Sequence, residues 1–284
     1  MMSSWFEHAF MARAVLAGVM LGLAAPAIGT FLVMRRLSLM GESLGHSAFA
    51  GVAAGAVTGL YPPAGALIFS ALVAVGIEKL RGWRRMQGDL AIAIFLYASL
   101  AIGLVLISKA RGTGTSLYSY LFGSIVLTSG ADLGVTALLT AVVLGAVALL
   151  HREFFIIALD EDQARLAGIP VNRLNLILAI LTAVTVTQAM RLVGILLVAS
   201  LMILPAAAAM HMGGGFRFTL LASMAFGVVT VLAGLAASYF LDLPPGSTVV
   251  MAGVAMLLLT MGSRRAWRFF SLKFLSLKLP PFKH

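Results

Sequence analysis

The chain has 284 residues, of which 61% are hydrophobic and 11% are charged, and it contains no cysteine. This composition excludes an ordinary soluble domain, and the lack of cysteine excludes disulfides and thiolate metal sites. A net charge of +10 could suggest nucleic acid, but the basic residues lie in short connections between apolar runs and in the tail. That distribution is the positive-inside pattern of a multi-pass membrane protein, so no nucleic-acid partner is predicted.

Nine apolar segments follow one another along the chain and are predicted to form membrane helices. They cover residues 10–34, 38–60, 63–79, 89–108, 131–150, 173–190, 193–210, 218–241 and 246–262. The predicted fold class is an all-α, multi-pass transmembrane helical bundle of about nine spans. Eight or ten spans stay open, because the apolar stretch 117–127 could dip into the membrane.

The basic connections follow the first, third, fifth and seventh segments, and the tail follows the ninth. Basic connections stay in the cytoplasm, so we predict a plasma-membrane protein with its N-terminus outside and its C-terminus inside. Residues 1–263 are predicted to form the transmembrane domain. Residues 264–284 form a basic tail with interleaved aromatic residues, which is expected to lie on the anionic inner membrane surface.

One apolar segment, residues 38–60, carries two ionisable groups, Glu42 and His46. A charge in the hydrocarbon core costs about 2.5 kcal/mol or more, so an ionisable group there indicates function. Four residues apart, the two side chains share one helix face, and a carboxylate with an imidazole suits zinc, manganese or iron. Counted from Arg35 and Arg36 at the membrane surface, Glu42 lies about 9 Å and His46 about 15 Å deep. The sequence therefore predicts a metal site near the bilayer midplane.

The largest polar connection, residues 151–172, contains a short helix with recognisable ends. Asp160 is a suitable N-cap, Gly168 suits the left-handed residue that ends a helix, and Pro170 prevents continuation. Such a helix on the cytoplasmic side is either an ordinary surface element or a docking element for a cytoplasmic partner.

Three polar residues in the later spans are Gln188, Ser200 and His211. Each could belong to a transport pathway, but a lone polar residue in a helix bundle more often makes a packing hydrogen bond, and we prefer that interpretation. His211 is kept as a secondary candidate for a metal ligand.

The sequence has no Gly-x-x-x-x-Gly-Lys-Ser/Thr nucleotide loop and no metalloprotease or hydrolase motif. We therefore expect a transport protein rather than an enzyme, with no cofactor of its own. Its energy would come from another chain or from an ion gradient, so a secondary transporter or channel is an alternative. An intramembrane metalloenzyme is a further alternative, but it would need a third ligand and a general base, for which the sequence offers no convincing candidates.

Several segments resemble the membrane subunits of zinc/manganese/iron ABC importers. They are residues 36–46 (RLSLMGESLGH), 119–123 (SYLFG), 159–171 (LDEDQARLAGIPV), 193–207 (VGILLVASLMILPAA) and 245–249 (PGSTV). The likeness covers nearly the whole chain to about residue 262, in the right order. The resemblance implies a type II ABC importer permease fold, shared with the vitamin B12 importer, and a homodimer.

The resemblance also implies partners and roles for single residues. Two cytoplasmic ATPase subunits would drive transport, and an extracytoplasmic metal-binding protein would deliver the ion. The acid-x-x-x-histidine pair of the family maps onto Glu42 and His46, with glutamate where the family usually has aspartate. The coupling helix maps onto about 159–169, with Asp160, Ala164 and Gly168 as coupling residues. The cargo would bind transiently, with zinc favoured over manganese or iron.

Overall fold

The computed structural model describes residues 9–82, 88–109, 123, 130–190, 193–195 and 197–276, with side chains between residues 11 and 262. Every regular element in these ranges is a helix, which confirms the all-α prediction. The helices are α1 (Ala9–Met34), α2 (Leu39–Thr58), α3 (Pro62–Arg81), α4 (Gly88–Lys109), α5 (Gly130–Leu159), α6 (Glu161–Leu166), α7 (Val171–Ala189), α8 (Val198–His211), α9 (Phe216–Leu241) and α10 (Pro245–Ser276).

Seven of these helices are long and apolar enough to cross a membrane, namely α1, α3, α4, α5, α7, α9 and α10. The other two predicted spans also form helices. Helix α8 is apolar but has only 14 residues. Helix α2 has 20 residues, but its glycine and serine residues, together with Glu42 and His46, lower its hydropathy. Each of the nine predicted segments therefore contains a helix, and the multi-pass helical bundle is confirmed.

Two predicted segment boundaries are wrong. The fifth segment does not end at residue 150, because α5 continues to Leu159 through a stretch without glycine or proline. The seventh does not begin at residue 193, because α8 starts at Val198 after a turn in which Gly194 has a φ of 89°. Helix α10 runs through residue 263 to Ser276. The predicted membrane dip at 117–127 lies outside the described residues, apart from Gly123.

Helix α1 forms the centre of the bundle, and 72% of its membrane segment is buried, against 22% for α4 and 17% for α5. Near its C-terminal end, the ring of Phe31 packs against Phe154 of α5 and Phe216 of α9, with centroids 5.3 and 5.6 Å apart. Glycine permits a close crossing with α8, because a Cβ on Gly29 would lie 1.9 Å from the carbonyl oxygen of Met202. The apolar α4 and α5 therefore lie at the periphery, where lipid can cover them.

Candidate functional site

Helix α2 is covered by neighbouring helices on three sides. Toward α3, a Cβ on Gly51 would lie 2.4 Å from a backbone oxygen, so only glycine allows this crossing. Toward α4, the Ser43 hydroxyl donates a 3.2 Å hydrogen bond to the carbonyl of Ile92. Toward α8, a Cβ on Gly41 would be in van der Waals contact with the Sδ of Met202, at 3.4 Å. Small residues thus hold α2 tightly in place.

The remaining face of α2 carries the predicted ionisable pair. Leu39 and Glu42 are exposed, and His46 is half-buried. Residues 39, 42 and 46 are spaced by three and four, so they lie on one face of the helix. Neither Glu42 nor His46 makes a hydrogen bond or ion pair with the part of the chain that the structure describes. A carboxylate and an imidazole are therefore free on a rigid helix, and both can face a passing cation or a second copy of the chain.

Among the described residues of this chain, no third histidine or carboxylate joins the pair. Between residues 9 and 276, in the ranges described, no group of three or more histidine, aspartate or glutamate side chains could hold a metal ion. His211 ends α8, nine residues beyond Met202, which corresponds to about 14 Å along the helix axis. The structure thus brings Glu42 and His46 together on one face but does not bring His211 to them.

Gln188 makes a packing hydrogen bond, although its Nε2 has no partner, and Ser200 makes no side-chain hydrogen bond among the described residues. Gln188 is buried at 8% exposure, and its Oε1 accepts a 3.4 Å hydrogen bond from the hydroxyl of Thr140 on α5. Ser200 is half-buried in the first turn of α8. Neither residue lies on the exposed face of α2.

The short helix α6 has the ends that the sequence predicts. Asp160 has an extended backbone, and its carboxylate accepts hydrogen bonds from the amides of Asp162 and Gln163, both at 3.0 Å. Gly168 has a φ of 80°, a left-handed conformation that favours glycine. Pro170 directly precedes α7. The N-cap and the left-handed stop are therefore confirmed, and the helix itself is shorter than the predicted 159–169.

Helix α6 has one buried face and one open face. Ala164 is fully buried and belongs to the hydrophobic core of the chain. Leu166, by contrast, is 89% exposed, a large apolar side chain on an otherwise polar helix. Sequence reasoning singled out Ala164 and missed Leu166, because the six residues of α6 are too few to show which face is covered. A role for Ala164 would be to seat α6 on the bundle, while Leu166 is available to a partner.

An ion pair fastens α6 to the turn between α1 and α2. The guanidinium of Arg35 lies 3.2 Å from the carboxylate of Glu161, and the Arg35 side chain is only 6% exposed. Glu161 also pairs with Arg165 at 2.8 Å. Burial alone would raise the pKa of Glu161, but the hydrogen bond from Arg165 and the charge of Arg35 bring it below its usual value. The Glu161 carboxylate therefore contributes stability at neutral pH, and this contribution is lost as the pH falls through its lowered pKa. Burial lowers the pKa of Arg35, so the burial of the guanidinium offsets part of the gain.

A double-mutant cycle on this pair tests the attachment. We expect Glu161→Gln to lower the thermal stability of the purified protein by about 1–3 kcal/mol, because it leaves the buried guanidinium of Arg35 without its carboxylate. Arg35→Gln should cost less, because Glu161 is 35% exposed and keeps its pair with Arg165. The double variant should lose less than the sum of the two. Arg165→Gln is the matched control with little expected effect, since this arginine is half exposed. Strictly additive losses would show that the two side chains do not interact.

Three features define the class of protein, namely helices able to span a membrane, an ionisable pair on the open face of a tightly packed helix, and a capped helix tied to the same end of the bundle. Together they define a multi-pass membrane transport protein. Residues 7–264 match the ABC 3 transport family, and the chain belongs to this family. It is accordingly a permease, the membrane component of an ATP-binding-cassette transporter.

Individual relatives agree over most of their length. A "Probable metal transport system membrane protein" of Treponema pallidum is 34% identical over 262 residues, which are 92% of this chain and 98% of that protein. The "Manganese transport system membrane protein MntC" of Listeria monocytogenes is 31% identical over 86% of this chain and 87% of its own. Among solved structures, "PsaBC from Streptococcus pneumoniae in complex with Fab" matches with a TM-score of 0.82 at 29% identity, over 92% of this chain and 95% of that chain. The importer permease fold is thereby confirmed.

Proposed function

We propose that this protein is the permease of an ABC importer that carries a divalent transition metal across the plasma membrane, with manganese as the first candidate. The observation that carries the proposal is the open face of α2, where Glu42 and His46 have no partner among the described residues. The two ligand types suit manganese, iron and zinc alike. The sequence alone favours zinc, but the relative named above by its cargo, MntC of Listeria monocytogenes, is a manganese transport protein, and this makes manganese the first candidate.

Two copies of the chain would complete the site. One protomer offers one carboxylate and one imidazole, which is too few ligands to replace the water shell of a cation. If the exposed faces of α2 meet across a two-fold axis, the pair becomes two carboxylates and two imidazoles. The exposed Leu39 on the same face supports such a contact. Four protein ligands plus water are enough for transient binding and still permit release.

Separate chains would supply energy and cargo. The chain has no nucleotide loop of its own. Cytoplasmic ATPase subunits would dock on α6, whose residues Asp160, Ala164 and Gly168 set its shape and seat, and an extracytoplasmic binding protein would deliver the metal. The N-terminus is proposed to lie outside and the C-terminus, with the basic tail on the inner lipid surface, inside.

Cellular uptake tests this proposal. Manganese, zinc and iron are each supplied as a radioactive tracer, alone and in competition, to cells that produce the permease with its ATPase and binding protein. We expect manganese accumulation that needs both partners. Accumulation that follows the proton gradient and ignores the ATPase would replace the proposal with a secondary transporter. No uptake of any of the three would rule out this cargo class.

The docking of the ATPase has its own test. We expect Leu166→Arg to abolish co-purification of the ATPase subunit, because it places a charge where an exposed leucine offers the apolar contact on α6. The folded permease should be unaffected, since the side chain is 89% exposed. Arg173→Leu serves as the control, because Arg173 is also exposed and lies a few residues beyond α6. Retention of the ATPase by Leu166→Arg would contradict docking on this face.

A further inference from the structure

A groove opens between the last turns of α5 and the start of α9. Its volume is about 600 Å³. It is lined by His151, Arg152, Phe155, Ile156, Gly215, Phe216, Arg217 and Phe218. None of these residues belongs to the face of α2 or to α6, and the transport proposal leaves the groove unused.

The groove lies at the depth of lipid headgroups. Asp132 stands in the first turn of α5, and Arg152 follows 20 residues later, which corresponds to about 30 Å along the helix. That length equals the thickness of the hydrocarbon core, so Arg152 lies at the opposite membrane surface from Asp132. Arg217 agrees with this depth, because it is the second residue of the membrane helix α9.

The polar side of the groove is purely basic. Arg152 and Arg217 are both exposed, and neither forms an ion pair within the described ranges. The Nδ1–H of His151 donates a 2.8 Å hydrogen bond to the carbonyl of Ala148, so in the neutral ring Nε2 is an acceptor and offers no N–H to a phosphate. No carboxylate is among the lining residues. Two guanidinium groups therefore face an open space with no counter-ion among the lining residues, which suits a phosphate.

The apolar side of the groove is continuous with the lipid-facing surface of the bundle. Its floor is a stacked ring pair, Phe155 and Phe216, with centroids 4.4 Å apart. On α5, the exposed residues Leu138, Val142 and Leu149 follow one another at helical spacing and lead directly to Arg152. On α9, the exposed Leu221 lies one turn beyond Arg217, and the exposed Phe218 and Val229 lie beside it on the same lipid-facing side. An acyl chain can thus lie on either stripe while its headgroup reaches the arginines.

We propose that this groove is a binding site for an anionic phospholipid of the inner leaflet. The phosphate would pair with Arg152 and Arg217, and the acyl chains would lie along the exposed stripes of α5 and α9. A zwitterionic lipid gains less here, because its own cation faces the same arginines. The site is distinct from the proposed ATPase surface on α6, which begins at Glu161, nine residues beyond Arg152, and shares no residue with the groove.

Native mass spectrometry of the purified permease tests the site. The full chain is released from mild detergent after exposure to equal amounts of phosphatidylglycerol and phosphatidylcholine. We expect retained phosphatidylglycerol in the wild type and about a fivefold loss of that preference for each of Arg152→Gln and Arg217→Gln. Arg152→Lys and Arg217→Lys should keep most of it, because they keep the charge. Arg173→Gln, an exposed arginine outside the groove, is the matched control with no expected loss.

Three outcomes would overturn the proposal. Equal retention of phosphatidylglycerol by Arg152→Gln, Arg217→Gln and the wild type would show that the groove does not select the lipid. If Arg152→Gln and Arg217→Gln lose the ATPase subunit from the purified complex but bind the lipid as the wild type does, the groove is a protein contact. Binding of soluble glycerol phosphate as strong as that of the lipid would make it a free-phosphate site. Variants are compared only when they elute as monodisperse protein. If the glutamine variants do not, Arg152→Lys and Arg217→Lys are compared with the wild type in their place.

Discussion

Replacement of Glu42 by Gln, or of His46 by Gln, is expected to abolish metal uptake by the assembled importer. Each change replaces a carboxylate or an imidazole on the open face of α2 by a neutral amide, a much weaker ligand for a transition metal, and in a dimer it does so twice. The loss should be at least about tenfold, since even a residue that only supports a metal ligand costs 10–100-fold in affinity when it is removed. Tracer uptake at matched permease levels in the membrane measures the effect.

The control for this prediction is Glu42→Asp, which keeps the carboxylate on a side chain that is one methylene shorter. We expect it to retain uptake, with a change in preference among manganese, zinc and iron because the carboxylate withdraws by one methylene. Wild-type uptake in both Glu42→Gln and His46→Gln would remove the pair from the transport pathway.

Gly29→Ala is expected to cause the largest loss of stability of any single-methyl change considered. A Cβ on Gly29 would lie 1.9 Å from the carbonyl oxygen and 2.6 Å from the carbonyl carbon of Met202. Both atoms belong to the backbone of α8, so no side-chain rotation can relieve the contact, and α1 and α8 must separate. Overpacking typically costs about 1–3 kcal/mol, and a backbone clash belongs at the upper end. Thermal unfolding in detergent, followed by size-exclusion chromatography, measures the change.

Gly145→Ala is the matched control for Gly29→Ala. It is also a glycine within a membrane helix, but no atom lies within 4 Å of the Cβ it would gain. We expect it to be neutral or slightly stabilising, because alanine is the better helix former by about 1 kcal/mol. Equal stability of the two variants would mean that α1 and α8 cross less closely than described.

The helix positions and the ends of α6 were predictable because their causes are local. Apolar runs mark the membrane helices, and Asp160 and Gly168 act on their immediate neighbours along the chain. The end of α5 was not predictable in the same way. His151, Arg152 and Glu153 look like a membrane boundary, but a helix continues until its backbone meets a stop, and none occurs before Leu159.

The candidate site was predictable as a pair but not as a surface. Helical spacing places Glu42 and His46 on one face, yet only the packing of α3, α4 and α8 shows that this face is the open one. The burial of Ala164, the exposure of Leu166 and the Arg35–Glu161 pair depend on contacts between distant parts of the chain. No periodic pattern records such contacts, and six residues of α6 are fewer than two helical turns.

The joint between α5 and α6 has a mechanical consequence. Only Asp160 separates the two helices, and its side chain already caps α6. One residue spans at most about 3.8 Å, so the joint contains almost no slack. A displacement of α6 larger than this distance must therefore move α5 as well, and α5 is one continuous helix of 30 residues. Because this helix extends through the full thickness of the membrane, a movement at one surface is transmitted to the other, with no loop between them to take up the displacement.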